Sequence, residues 1–114
     1  MNHGIKAIII PVRDLAVAKA LYETALGVKP YADEPYYVGF RVGDQEIGLD
    51  PNGHNHGMTG PVGYCDVVDV AASLREAVDA GWRTRQDVKD VGGGLMAAIV
   101  EDPDANVLGF RQSH

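Results

Sequence analysis

The chain has 114 residues, enough for one domain with a single core and no need of disulfides or structural metal. Its net charge of -6 and pI near 5.0 exclude nucleic acid as a partner, because neutralising a phosphate backbone takes clustered Lys and Arg, and no basic stripe is present. The single cysteine excludes an intrachain disulfide, and the longest apolar run, residues 7–12, is far too short to cross a bilayer, so a cytoplasmic protein with no leader and no membrane contact is expected.

Residues 5–12 are β-branched and almost wholly apolar, the pattern of a strand covered on both faces. Asp14 then offers a helix N-cap, and Leu15, Ala18, Leu21, Tyr22, Ala25 and Leu26 recur at helical spacing until Gly27. Residues 28–33 predict a short strand. Pro35 interrupts, and residues 36–42 and 45–49 predict a hairpin turned at Gly43-Asp44. Between residues 50 and 61 the composition shifts to Pro, Asn, Gly, His, Met and Thr, which reads as a linker or long loop.

The second half repeats the first. Residues 62–68 predict a strand, Asp69 a second N-cap, and Val70, Leu74, Ala77 and Val78 a second apolar helix face closed by Gly81. Superposing Asp14 on Asp69 lays Val12 on Val67 and Leu15 on Val70. Three more strands are predicted at 84–91, 95–100 and 106–112, joined by Gly92-Gly93-Gly94 and by Asp102-Pro103-Asp104-Ala105-Asn106. In the latter stretch Pro103 fixes its own φ and biases Asp102 toward extended backbone, while Asp104 and Asn106 tolerate turn geometry. Each half therefore reads strand, helix and three strands, within one domain comprising a module at 1–52, a linker at 53–60 and a module at 61–114.

The doubled unit, the Val-x-Asp before each helix and the final Asp-Pro-Asp-x-Asn resemble the vicinal oxygen chelate superfamily, the glyoxalase, bleomycin-resistance and extradiol dioxygenase group, over essentially the whole chain. The resemblance implies an α+β fold of two βαβββ modules forming a curved sheet or half-barrels. Ala105 stands where the family pattern usually has Gly. In metal-dependent members the resemblance implies a His seven residues before each capping Asp and a Glu three residues after the turn's Asn. These positions are Ala7, Val62 and Gly109, with Gly48 the best equivalent on the last strand of the first module. None of the four side chains can bind a metal, so no metal and no other cofactor is expected.

The period of two in a strand extends this register into two faces. If Ala7, Gly48, Val62 and Gly109 face inward, so do Ile5, Ile9, Glu46, Tyr64, Asp66, Val107 and Arg111, while Ile8, Ile10, Ile47, Leu49, Leu108 and Phe110 face the helices. The candidate ligand-binding residues are Glu46, Tyr64 and Arg111, joined on weaker registration by Tyr37, Arg41 and Met96, and by Trp82 as an aromatic plane. Tyr31, Tyr36 and Tyr37 around Pro35 form a candidate wall of a groove. Glu46 and Asp66 are the candidate general bases if the protein is an enzyme.

His54 and His56 lack acidic or cysteine partners at suitable spacing and read as solvated loop residues. Cys65 reads as a buried, inert thiol, and the triple glycine precedes a strand, so it lacks the helix N-terminus of a phosphate cradle. The expectation is a homodimer that sequesters a small apolar or aromatic molecule without metal, similar to antibiotic-binding bleomycin-resistance proteins. Its pocket would lie at the concave sheet or the subunit interface. The alternative is an enzyme of the glyoxalase, lyase, isomerase or dioxygenase type, using ligands elsewhere, such as His54, His56 and Glu46, or a carboxylate base.

Overall fold

A computed structural model describes residues 2–112. The elements run β1 (Asn2–Pro11), α1 (Leu15–Leu26), β2 (Ala32–Glu34), β3 (Tyr37–Val42), β4 (Gln45–Asp50), a 3-10 turn (His54–His56), β5 (Val62–Val67), α2 (Val70–Ala80), β6 (Arg83–Asp90), β7 (Met96–Glu101) and β8 (Val107–Gln112). This is the mixed α+β arrangement that the repeat predicts, with strand, helix and three strands in each half. Contacts divide the chain into one unit of residues 7–62 and a second that takes residues 63 onward together with the start of β1. None of the helices among the described residues is long and apolar enough to cross a membrane.

In the first unit the strand order is β2-β3-β4-β1, with β1 parallel to β4 and the other pairs antiparallel. Asp14 caps α1 by accepting from the Val17 N–H at 3.1 Å, and Gly27 ends the helix in the left-handed region at φ 72°. The apolar face of α1 meets Val38, Phe40 and Leu49, with Ile10 and Ile47 packed around them. The strand expected at 28–33 forms only at Ala32–Glu34. Gly27 turns the chain, Pro30 has no N–H to give a ladder, and Val28 is drawn into the core beside α1 instead. The stretch read as a linker packs within this unit. A Cβ added at Gly53 would lie 2.7 Å from the Pro11 Cβ and 2.8 Å from the Met58 sulfur.

In the second unit the order is β5-β8-β7-β6, with β5 parallel to β8 and the others antiparallel. Asp69 caps α2 through the Ala72 N–H, and the Gln112 side chain accepts from the Val70 N–H at 2.6 Å, tying the last strand to the first turn of the helix. The core here gathers Cys65, Val67, Val70, Leu74, Ala98, Val100 and Phe110. Cys65 is a buried free thiol within it.

The β7–β8 turn is organised by one carboxylate. Asp102 accepts from the N–H of Asp104 at 2.9 Å, the N–H of Asn106 at 2.8 Å and the Asn106 side-chain amide at 3.0 Å. Ala105 takes the left-handed conformation at φ 67°, which costs about 1 kcal/mol relative to a glycine in that place.

The Asn106 amide holds the Asp102 carboxyl below the usual carboxylate range, and Arg85 and Arg83 do the same for Glu101. Arg83 reaches Glu101 at 2.7 Å and Arg85 reaches it at 2.9 Å. A carboxyl whose folded pKa is lowered favours the fold above its unfolded pKa, and that contribution is lost as pH falls through the folded value. The thermal midpoint should therefore decline as pH drops below about 4, less steeply in Asp102→Asn. Salt should flatten the effect, because these groups lie at the surface. Thermal unfolding across acidic pH at two salt concentrations checks this, and equal slopes for the two proteins would refute it.

Candidate functional site

On the first unit's sheet, the face away from α1 is built by alternation. Val38, Phe40, Ile47 and Leu49 turn toward the helix, so Tyr37, Gly39, Arg41, Glu46 and Gly48 turn the other way. The β3–β4 register sets Gly39 opposite Gly48 and Arg41 opposite Glu46. Tyr37 lies across Gly48, where an added Cβ would sit 2.6 Å from the Tyr37 Cε1. Tyr31 and Tyr37 both crowd Gly39, at 2.8 Å and 2.9 Å from its missing Cβ. The tyrosine rings thus occupy the space that side chains at Gly39 and Gly48 would fill.

Both phenols aim at one atom. Tyr31 Oη and Tyr37 Oη donate to Glu46 Oε2, the Tyr37 bond at 2.5 Å. Burial first, and then this carboxylate, raise both tyrosine pKa values above the ordinary phenol value, Tyr37 much the further. Both hydroxyls therefore stay protonated and act as donors. The Arg41 guanidinium carbon rests 4.0 Å from the centroid of the Tyr31 ring, within cation–π range.

The second unit carries a related arrangement. The β5–β8 register sets Tyr64 opposite Gly109 and Asp66 opposite Arg111. The Tyr64 ring occupies the space of a Gly109 side chain, with Cε2 2.5 Å from the missing Cβ. Arg111 Nε donates to Asp66 Oδ1 at 2.5 Å, and the two side chains are 17% and 39% exposed, so the pair is partly shielded. The two halves confirm each other's register. β4 pairs Gly48 with Ile9, β8 pairs Gly109 with Tyr64, and Ile9 and Tyr64 occupy the same place relative to Asp14 and Asp69.

Sequence reasoning placed Tyr37, Arg41 and Glu46 together, and the structure brings them within one cluster. It likewise places Tyr64 beside Asp66 and Arg111 on one face of the second unit. Met96 and Trp82 are not gathered there. Met96 shares the parity of Ala98 and Val100, which face α2, and both Met96 and Trp82 pack against the α2-side core. Tyr36 stands at the tip of the β2–β3 turn, 65% exposed and outside the cluster. The convergence of Tyr31 and Tyr37 on Glu46 was missed, although Tyr37-x-Gly39-x-Arg41 facing Glu46-x-Gly48 carries its signal.

These residues do not fit the metal that the resemblance implies. Ala7 and Val62 are buried apolar residues, and Gly48 and Gly109 lie beneath tyrosine rings. No cluster of three or more His, Cys, Asp or Glu able to hold a metal ion occurs among the described residues. His54 and His56 form the 3-10 turn, His56 exposed and the His54 Nδ1 buried without a hydrogen-bond partner among the described residues.

The description "Glyoxalase/Bleomycin resistance protein/Dioxygenase superfamily" belongs to a family model that matches residues 4–110. No curated protein sequence matches. Among solved structures, an NAD-dependent benzaldehyde dehydrogenase from Legionella pneumophila is similar at 17% identity and TM-score 0.78, over 95% of this chain and 98% of that one. Methylmalonyl-CoA epimerase from Mycobacterium tuberculosis is similar at 18% identity and TM-score 0.73, over 99% and 89%. A superfamily member from Vibrio splendidus 12B01 follows at 14% identity and TM-score 0.71, over 99% and 100%. At such identities the likeness shows the fold.

Proposed function

Since the chain belongs to the Glyoxalase/Bleomycin resistance protein/Dioxygenase superfamily, we propose that it is a metal-independent member that binds a small planar apolar or aromatic molecule against its tyrosine-covered sheet faces. The observation that carries this reading is that the Tyr37 ring fills the side-chain space of Gly48 and the Tyr64 ring that of Gly109. The position that the resemblance implies for a metal ligand on the last strand of the second half, Gly109, and its best equivalent in the first half, Gly48, are glycines whose side-chain space is taken by tyrosine rings. Aromatic rings lining a sheet face offer surface for stacking, and burying apolar area there yields about 25 cal/mol per Å². Polar groups at the margin, Arg41, Glu46, Asp66 and Arg111, orient what stacks.

The reading of Glu46 as a general base has less support, because its Oε2 already accepts two phenol protons. Asp66 is likewise engaged, by Arg111. A homodimer belongs to the proposal. The outward side of α1 exposes Val17 at 56% and Leu21 at 65% with Ala16 and Ala20 beside them, an uncharged face that a second copy would cover.

Calorimetric titration with a panel of planar aromatic compounds tests the function. Binding is expected in the wild type and should weaken about three- to tenfold in Tyr37→Ala, the range of one aromatic contact. Stoichiometric zinc, nickel, manganese or iron in tag-free protein, or no binding across the panel, would overturn it.

A further inference from the structure

We propose that Arg41 is an anion-reading residue and that the ligand is an aromatic carboxylate. This rests on the binding role just described and adds the ligand's charge. The two units contain the same opportunity and use it differently. In the second, Asp66 and Arg111 stand opposite each other on paired strands and close an ion pair at 2.5 Å. In the first, Glu46 and Arg41 also stand opposite each other on paired strands. There the carboxylate is turned to Tyr31 and Tyr37, and the guanidinium lies over the Tyr31 ring. Among the described residues Arg41 makes no ion pair, and its side chain is exposed.

The sheet therefore forgoes its simplest cross-strand salt bridge. Two phenol donors occupy the carboxylate oxygen that would otherwise draw the arginine in. Stacking on Tyr31 restricts the guanidinium without using its N–H groups, since a cation–π contact is made through the face of the ring. What remains is a pre-oriented planar fork beside the Tyr37 plane. A carboxylate matches that fork with two parallel N–H···O bonds. An aromatic ring joined to the carboxylate could then lie over tyrosine while its charge meets Arg41. Holding the donors in place before binding lowers the ordering cost of association.

Glu46 supplies the control. Its charge opposes an anionic ligand, whereas a cationic ligand would be attracted by it and repelled by Arg41. Removing each charge must therefore act in opposite directions, and the direction identifies the ligand's sign. Glu46→Gln keeps a carbonyl acceptor for the two phenols, so it changes charge with little change of shape.

Isothermal titration of the full chain with benzoate, its uncharged counterpart benzamide and the cation benzamidine tests this at fixed ionic strength. Benzoate should bind about tenfold more tightly than benzamide in the wild type, and Arg41→Gln should abolish that preference by weakening benzoate far more than benzamide. Arg41→Lys should restore part of it, as a point charge without the fork. Glu46→Gln should tighten benzoate. If benzoate and benzamide bind alike and Arg41→Gln changes neither, the anion inference is overturned and planar-ligand binding stands. A preference for benzamidine, lost in Glu46→Gln, overturns it as well. Inorganic phosphate binding as tightly as benzoate would remove the aromatic requirement and defeat this ligand class. If no probe binds any variant while other planar compounds of the aromatic panel do, this inference falls and the binding function stands; silence across the whole panel defeats both. Arg41 is exposed, so the variants should unfold near the wild-type midpoint, and thermal unfolding of each checks that loss of binding is not loss of fold.

Discussion

Replacing Phe40 with alanine is expected to destabilise the protein by about 3–5 kcal/mol, a large part of the roughly 5–15 kcal/mol that separates a folded domain from its unfolded chain. Phe40 is fully buried, and it packs with Val38, Leu49 and Ala18 between the first unit's sheet and α1. Truncation removes the ring and leaves a cavity that a rigid β-strand cannot close. Phe40→Leu keeps most of the volume and should cost less than about 1.5 kcal/mol. Equilibrium denaturant unfolding should show a lower midpoint with an unchanged slope. A loss below about 1 kcal/mol in the alanine variant would mean that this core does not hold the unit together. The consequence reaches the binding face, because Phe40 lies between Gly39 and Arg41. Its burial fixes which way those neighbours point, and a slip of one residue would turn Arg41 toward the helix and Phe40 into solvent.

That coupling explains what could be read from the chain. Alternation in residues 45–49 and 107–111 needs only one buried side chain to set every other, so Ile47, Leu49, Leu108 and Phe110 fall on the helix side as expected. The capping aspartates and stopping glycines are local devices, and both helices begin and end where Asp14, Gly27, Asp69 and Gly81 place them. Less legible were features set by contacts between strands. The short β2 depends on how residues 28–31 leave the helix, which periodicity does not encode. Met96 follows three glycines that give no side chain from which to count, and only the pairing of Ala97 with Arg111 on β8 shows that Met96 itself turns to the α2 side. The clasp on Glu46 depends on side-chain directions across three strands. Its only trace in the sequence is a pair of glycines, Gly39 and Gly48, which reads as two missing side chains until their places are seen to be filled by tyrosine.

Gly109→Ala tests that filling directly, and it is expected to cost about 1–3 kcal/mol although it adds one methyl group. The new Cβ would lie 2.5 Å from Tyr64 Cε2 and 2.8 Å from Cγ. Because Cγ is the root of the ring, tilting the ring's far edge gives no relief, and the side chain must change rotamer or the strand must shift. Gly48→Ala should be milder in comparison, since its new Cβ meets the outer half of the Tyr37 ring, although the bond to Glu46 limits how far that ring can tilt. The decisive measurement is a double-mutant cycle with Tyr64→Ala. If the ring is the obstacle, Gly109→Ala should cost little in the Tyr64→Ala background, leaving a coupling of about 1–2 kcal/mol. Additive losses would show that the strain lies in the β8 backbone instead. The same geometry governs any larger side chain at this position. Gly109→Glu would place a carboxylate where the ring already sits, so that substitution alone should unfold or distort the second unit and restore no metal binding. Tyr64 and Gly109 therefore form one structural unit, and the packing of β5 on β8 leaves no space for a longer side chain at position 109.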